Sequence, residues 1–434
     1  MSVGIIRSLN GIVVEIEFLD EQPELEHMVT VKNSASSPLL IHSYINPTTA
    51  KAINLTADKS LAKGDKVETT SHGLRVPVGK QTLGRMFDAL GRPMDGKDEL
   101  VKPEYKELSS ITAQVSTAKI EKPEIMVTGI KVLDFFTPFV KGRKIGIVGG
   151  AGVGKTVLTM ELINNVTSDK SGVAMFAGIG ERIREGHELH ETLAERKLLE
   201  STVMYFGQMN ENPAMRSLVG IAAVALAEYF RDTQKQDVLF FADNIYRYVQ
   251  ARNELSTILG QVPSEGGYQS TIFSDIKRLQ DRLSSNQNGS ITAVQTIYVP
   301  ADDLSDPAVQ MISHELDSVI VLSRKVAEQG IRPAVDINLT NSSLLTPEIV
   351  GERHYRLASQ VKAVMQKYEQ LRNIIAIIGE TELSAVDRAD YHKARKLITF
   401  FSQEMHVVEG LSGVKGEDFT LDKTLSGVEE ILIS

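Results

Sequence analysis

The stretch Gly149–Thr156, "GGAGVGKT", decides how the rest of this 434-residue chain is read. It follows the apolar run "KIGIV" and leads into "KTVLTMELINNV", whose spacing predicts a helix opening at Lys155. The pattern, glycine, four residues, then Gly-Lys-Thr, is expected by chance in on the order of one in a hundred chains of this length. Set between a strand and a helix, its backbone N–H groups and the positive end of the helix dipole converge on one point, a cradle for phosphate oxygens. In such a loop the lysine, Lys155, reaches the β- and γ-phosphates and the hydroxyl of Thr156 is a magnesium ligand. Gly149, Gly150, Ala151, Gly152, Val153, Gly154, Lys155, Thr156 and the adjoining Val157 are therefore the candidate nucleotide-binding residues. The alternative, a glycine-rich turn with no ligand, leaves the lysine and threonine unexplained.

Two carboxylates stand where the remaining parts of a phosphoryl-transfer site are needed. Asp243 closes the run "VLFFAD", a position suited to holding the metal through water, although a strand-end aspartate also caps helices. Glu181 follows "VAMFAGIG" in the segment Gly180-Glu181-Arg182-Ile183-Arg184-Glu185-Gly186, which puts it at the carboxyl edge of a parallel sheet. A carboxylate there can deprotonate attacking water, but spacing alone weighs equally for a solvated charge run at a helix start. His187 and His190 lie one helical turn apart; with no third ligand nearby and no cysteine they read as a surface pair.

Composition bounds the class. Apolar residues at 42% and charged residues at 24% indicate a globular chain, long enough for two or three domains. A net charge of −9 disfavours nucleic acid and anionic lipid as partners. The absence of cysteine removes disulfides and thiolate chemistry and fits a reducing compartment. The longest apolar run, "SLVGIAAVALAEYF", is cut by Gly220 and reads as a buried helix, so no membrane insertion is expected. The first residues, "MSVGIIRSLNGIVVEIEF", lack the layout of a secretory signal, and a cytoplasmic location is expected, extending to a peripheral place at the inner face of the cell membrane.

Along the chain, short β-branched runs separated by Asn-Gly and Gly-Asp turns predict an all-β unit, a barrel, over 1–74. From 75 to 350, apolar strands such as "GVAMFAG", "TVMYFG" and "ITAVQTIYV" alternate with helical periods, the pattern of a parallel α/β sheet. From 351 to 434 only helical periodicity remains.

The segments "GGAGVGKTVLTMELINN", "GIGERIREG", "FGQMNENP", "DNIYRY", "LGQVPSEGGYQ" and "IYVPADDLSDPA" together resemble the catalytic, beta-type subunit of rotary F-type ATPases, in the same order over nearly the whole chain. The resemblance implies a β-barrel crown, a RecA-like P-loop domain and a C-terminal helical domain, with MgATP or MgADP as ligand. It implies that Glu181 activates water, that Lys155 and Thr156 hold phosphate and magnesium, and that Asp243 and Glu185 serve the metal. Arg182 and Arg247 match phosphate-sensing arginines, and Tyr298 a tyrosine on the γ-phosphate side. Glutamate at 181, where alpha-type subunits have glutamine, marks the beta type. Implied partners are alpha-like subunits in an alternating ring, one of which supplies an arginine finger, and a gamma-like central shaft.

Two departures stand out. The aromatics that pack the adenine in the family correspond here to Arg332, Met405 and Leu411, which predicts weak base selectivity. The acidic lever of the family survives as Thr381–Asp387 with only Glu382 and Asp387 of its acids, which predicts an altered shaft contact and a specialised member; coupling to a proton channel, ATP synthesis and driving another machine such as a motility apparatus all stay open. The competing readings are a non-catalytic subunit that only holds nucleotide, and a hexameric secretion-type ATPase or helicase.

Overall fold

The structure, a computed structural model, describes residues 2–31, 34–56, 60–108, 123–167, 172–264, 266–417 and 419–433; Glu265 of the "LGQVPSEGGYQ" motif lies outside them. The first residues form strands β1 (Val3–Asn10), β2 (Val13–Phe18), β3 (His27–Val31), β4 (Ser34–Asn46), β5 (Thr49–Asn54) and β6 (Lys66–Gly73). They close into a barrel in the order β1-β2-β5-β4-β3-β6, which leaves no open sheet edge. Period-two patterning builds its core: along β2, Val14, Ile16 and Phe18 are buried and Glu15 and Glu17 are partly exposed between them. Val29, Leu39, Ile41, Ala50, Ala52 and Val67 complete the interior, where each large aliphatic side chain contributes about 1.5–3 kcal/mol of burial.

The strands of the α/β region, in chain order, are β7 (Met86–Phe87), β8 (Lys144–Gly149), β9 (Val173–Glu181), β10 (Thr202–Gln208), β11 (Val238–Asp243), β12 (Ile291–Tyr298), β13 (Ser318–Leu322) and β14 (Asn341–Ser342). Its principal helices are α1 (Lys155–Thr167), α2 (Ile183–Glu195), α3 (Pro213–Asp232), α4 (Ile245–Ile258) and α5 (Ile272–Arg282). The chain divides into two compact units, Met1–Thr117 with Gly172–Ser290, and Ala118–Ser171 with Ile291–Ser434.

The first unit holds the barrel and the parallel strands in the order β11-β9-β10-β7. Strand β9 reads "VAMFAGIGE" and is buried over its first eight residues, as a strand covered on both faces must be. Helix α3 carries the apolar run flagged in the sequence. Pro213 opens it, and the Asn212 side chain accepts from Met215 N at 3.0 Å, satisfying an orphan donor of the first turn. Among the described residues it is the one helix long and apolar enough to cross a membrane, and 83% of that window is buried within the protein. Gly220 does not cut it: the helix runs through, and Ile179 and Tyr248 pack where a larger side chain would sit.

The second unit holds the order β14-β13-β8-β12, with β8 parallel to both neighbours, and the C-terminal helices α6 (Glu352–Ile378), α7 (Ala385–Phe401) and α8 (Leu421–Ile433). Leu357, Val361, Met365, Tyr368 and Leu371 form the buried stripe of α6 at three- and four-residue spacing. Ala394, Leu397 and Phe401 of α7 and Leu425 and Val428 of α8 are buried as well, the three helices touch one another, and Tyr368 stacks on Tyr391 with ring centroids 5.2 Å apart. The altered lever lies at the head of α7: Ser384 caps the helix, accepting from Asp387 N at 3.1 Å, and Asp387 pairs with Lys367 at 2.9 Å. One of its two remaining acids is thus engaged within the helical domain itself.

Candidate nucleotide site

In the second unit, β8 ends at Gly149 and α1 begins at Lys155, so the loop between them joins a strand to a helix N-terminus as its motif requires. Gly152 and Gly154 have φ of 75° and 92°, the left-handed region where residues with a side chain are strained. Gly149 and Gly150 are small for a different reason. A Cβ on Gly149 would lie 2.9 Å from Leu322 O, and one on Gly150 would collide with Asp302 Oδ1. Lys155 Nζ donates to Gly149 O at 2.6 Å and also to Gly150 O, which draws the ammonium over the loop. Parallel pairing sets Tyr298 at the end of β12 level with Gly149, and its ring centroid lies 5.6 Å from Lys155 Nζ.

Two residues of this loop's surroundings were not singled out by sequence. Asp302 sits in a tight turn where both Ala301 (φ 52°) and Asp302 (φ 57°) are left-handed, a strained arrangement costing on the order of 1–3 kcal/mol per residue. Arg324, just past β13, donates from Nε to Asp302 Oδ2 at 3.2 Å and from Nη2 to Ala151 O at 3.1 Å. The pair fastens the "ADDLSD" turn to the phosphate loop. Asp302 belongs to a quoted motif, but nothing local announces its contact with Gly150; Arg324 does lie at a strand's carboxyl end, the signal that found Asp243.

The residues expected on the base side, Arg332, Met405 and Leu411, belong to the same unit. Gln403 N donates to Arg332 O at 2.8 Å, and the exposed side chain of Arg332 projects from that junction. Met405 is buried, and the next two backbone N–H groups, of His406 and Val407, donate to the carboxylate of Glu161 on α1 at 3.1 and 2.9 Å. Glu161 thereby ties the segment carrying Met405 to the helix that carries Lys155 and Thr156. Leu411 falls in the short helix Glu409–Ser412, and its side chain lies outside the described residues.

In the first unit, the carboxyl ends of β9 and β11 gather the other candidates. Asp243 pairs with Gly178, and Glu181 ends β9 three residues further on, with its carbonyl accepting from Met209 N at 3.1 Å. Gly180, at φ 66°, lets Arg247 approach: a Cβ there would lie 3.3 Å from Arg247 Cβ. Gly180, one residue before Glu181, thus meets Arg247 of α4 across the ends of β9 and β11. Arg182 is the exposed N-cap of α2, and Glu185 lies in that helix's first turn, with its N–H donating to Arg182 O at 2.9 Å. Asn244 caps α4, accepting from Tyr246 N at 3.0 Å, so capping of that helix falls to Asn244.

His187 is exposed and His190 half-buried; burial lowers the pKa of His190, and its Nε2 makes no hydrogen bond. Among the described residues no group of three or more His, Cys, Asp or Glu side chains is placed to hold a metal. Magnesium at a nucleotide differs from such a site, because one or two protein oxygens suffice when phosphates supply others. The hydroxyl of Thr156 and the carboxylates of Asp243 and Glu185 are hard oxygen donors of the required kind, and the crowding at Gly149 and Gly150 fits a loop that admits only backbone groups.

Residues 129–342 match the ATP synthase alpha/beta family, nucleotide-binding domain, and residues 344–412 match the C-terminal domain of V and A type ATP synthase. The two matches adjoin and together span nearly two thirds of the chain. The phosphate loop, the parallel strands that carry it and the helices that follow are thus the nucleotide-binding and C-terminal domains of a rotary ATPase ring subunit.

Proposed function

We propose that this chain is a catalytic subunit of such a ring, hydrolysing MgATP, and that its nucleotide domain is of the F-type beta kind. The observation that carries the reading is Glu181 at the end of β9, next to Gly180, where Arg247 approaches the backbone, and on the strand paired with the one that ends in Asp243. A subunit that only held nucleotide would have no use for a carboxylate at that point. In this reading Glu181 takes the proton of the attacking water, while Arg182 and Arg247 offset the charge that grows on the phosphate oxygens. Lys155 serves the β- and γ-phosphates, Thr156, Asp243 and Glu185 hold Mg²⁺, and that ion neutralises phosphate charge.

The V- and A-type character of the C-terminal match bears on the other half of the molecule. It is consistent with a helical domain that has left the beta-type pattern, as the reduced lever also suggests. Alternating alpha-like partners and a gamma-like shaft complete the proposed assembly, with the neighbouring subunit supplying an arginine finger. A cytoplasmic ring at the inner face of the membrane, making or breaking ATP or driving another machine, fits the same parts.

The test is Glu181→Gln in the assembled ring. The variant keeps size and hydrogen bonding but loses the basic lone pair, so MgATP binding persists while turnover falls about a hundredfold or more. Near-normal turnover of that variant would falsify Glu181 as the base and leave the nucleotide-holding subunit as the better reading.

A further inference from the structure

Within the first unit, a cavity of about 680 Å³ opens between the barrel and helices α3, α4 and α5. It lies in the size range of small-molecule sites, roughly 300–1,000 Å³. None of the phosphate-loop or catalytic candidates lines it. Its wall is largely aliphatic, from Leu40 and Ile41 of β4, Ile221 of α3, Leu255 of α4 and Leu279 of α5.

Three arginines, Arg252, Arg278 and Arg282, and three acids, Glu26, Asp275 and Asp281, line it, yet one donor is left without an acceptor. Arg252 donates from Nη2 to Asp275 Oδ1 at 2.8 Å, but its Nε is buried without a hydrogen bond. The other oxygen of Asp275 accepts from Thr271 Oγ1 at 2.9 Å and Gln269 Nε2 at 3.3 Å, and neither oxygen bonds Arg252 Nε. Arg278 adds a second guanidinium at the exposed rim. Of the other charged lining groups, Arg282 is held by Glu228 at 2.8 Å and Asp281 by Lys277 at 3.0 Å, while Glu26 acts on Arg252 only through its field. Burial and the fields of Arg252 and Lys51 lower the pKa of His42, which keeps that imidazole neutral at pH 7. A buried donor costs free energy until an acceptor reaches it, and a guanidinium prefers a carboxylate.

We propose that this cavity binds a long-chain carboxylate, a fatty-acid anion, with its acyl chain along the aliphatic wall and its head group on Arg252, flanked by Arg278. The site is separate from the nucleotide site and does not depend on the catalytic reading.

Dodecanoate is the probe and dodecanol its uncharged analogue, both titrated calorimetrically into the full chain. Dodecanoate binds saturably at one per chain and about tenfold or more tighter than dodecanol. Ile221→Trp fills the aliphatic wall and leaves the Arg252–Asp275 pair intact; it weakens dodecanoate by about tenfold or more, with an unchanged thermal melt in the absence of ligand. Arg278→Gln weakens dodecanoate severalfold and leaves dodecanol unaffected. Absence of saturable binding, equal affinity for acid and alcohol, or wild-type dodecanoate affinity in a folded Ile221→Trp chain each overturns the proposal.

Discussion

The two ends of the nucleotide site are built in opposite ways, although the same unit carries both the phosphate loop and the base-side segment. The phosphate end is made of backbone: glycines with φ of 75° and 92°, carbonyls capped by Lys155, and a helix N-terminus. The base end depends on side chains, and there an exposed Arg332 and a buried Met405 stand where the resembled family has aromatics. Backbone recognition tolerates almost no change, because any Cβ at Gly149 or Gly150 collides with a neighbour. Side-chain recognition can drift, because the segment carrying Met405 is held in place by the Glu161 carboxylate and by Gln403, whatever residue faces the base.

The largest effect expected from this contrast is at Lys155. Lys155→Ala removes the cation that the proposed site places at the β- and γ-phosphates and lowers MgATP affinity by about a hundredfold or more, measured by calorimetric titration. Wild-type affinity in that variant would break the phosphate-end assignment.

Gly150→Ala probes the crowding directly. Its methyl group meets Asp302, so the Asp302–Arg324 fastening or the loop must give way, and MgATP affinity falls by about tenfold. Adding Asp302→Ala restores most of it. A double variant as weak as Gly150→Ala alone would show that the damage lies elsewhere in the loop.

At the base end the expected differences are smaller. Discrimination between ATP and GTP stays within about tenfold, or roughly 1.4 kcal/mol, and Met405→Phe raises the preference for ATP severalfold, both read from steady-state hydrolysis. A wild-type preference beyond about a hundredfold would mean that other residues rebuild the pocket.

The last effect, on stability and not on nucleotide affinity, concerns the support beneath the base end. Gln403 donates to Gly129 O at 2.8 Å and accepts from Lys131 N at 2.9 Å, and that turn is organised by buried Asp134, which accepts from Thr128 N, Thr128 Oγ1 and Gly129 N. Burial pushes the Asp134 carboxyl up to about 6 despite those donors. A carboxyl raised in the folded state binds its proton more tightly there than in the unfolded chain. Its contribution is therefore present at about pH 4 and fades as pH rises through about 6, by on the order of 2–3 kcal/mol. Denaturant melts of wild type and Asp134→Asn should show the stability gap between them narrowing over that window. A gap independent of pH would mean that Asp134 ionises normally.

Sequence by itself determined the barrel, the alternating strands and helices, the helical end and the phosphate loop, because each is written locally. Period two in "VVEIEF", near-continuous apolar strands such as "VAMFAG", and the spacing of Gly154, Lys155 and Thr156 are all short-range signals. It also read "SLVGIAAVALAEYF" as a buried helix, and α3 carries Gly220 through because packing against Ile179 and Tyr248 outweighs a cost of about 1 kcal/mol for glycine in a helix. Only the tertiary structure decided what surrounds the loop. Asp302 on Gly150, Arg324 on Ala151, Glu161 under Met405 and Arg252 facing an aliphatic cavity all join residues far apart in the chain. No local period or spacing encodes such contacts; they arise from strand order, which brings the ends of β8, β12 and β13 together, and from packing of the barrel on α3, α4 and α5.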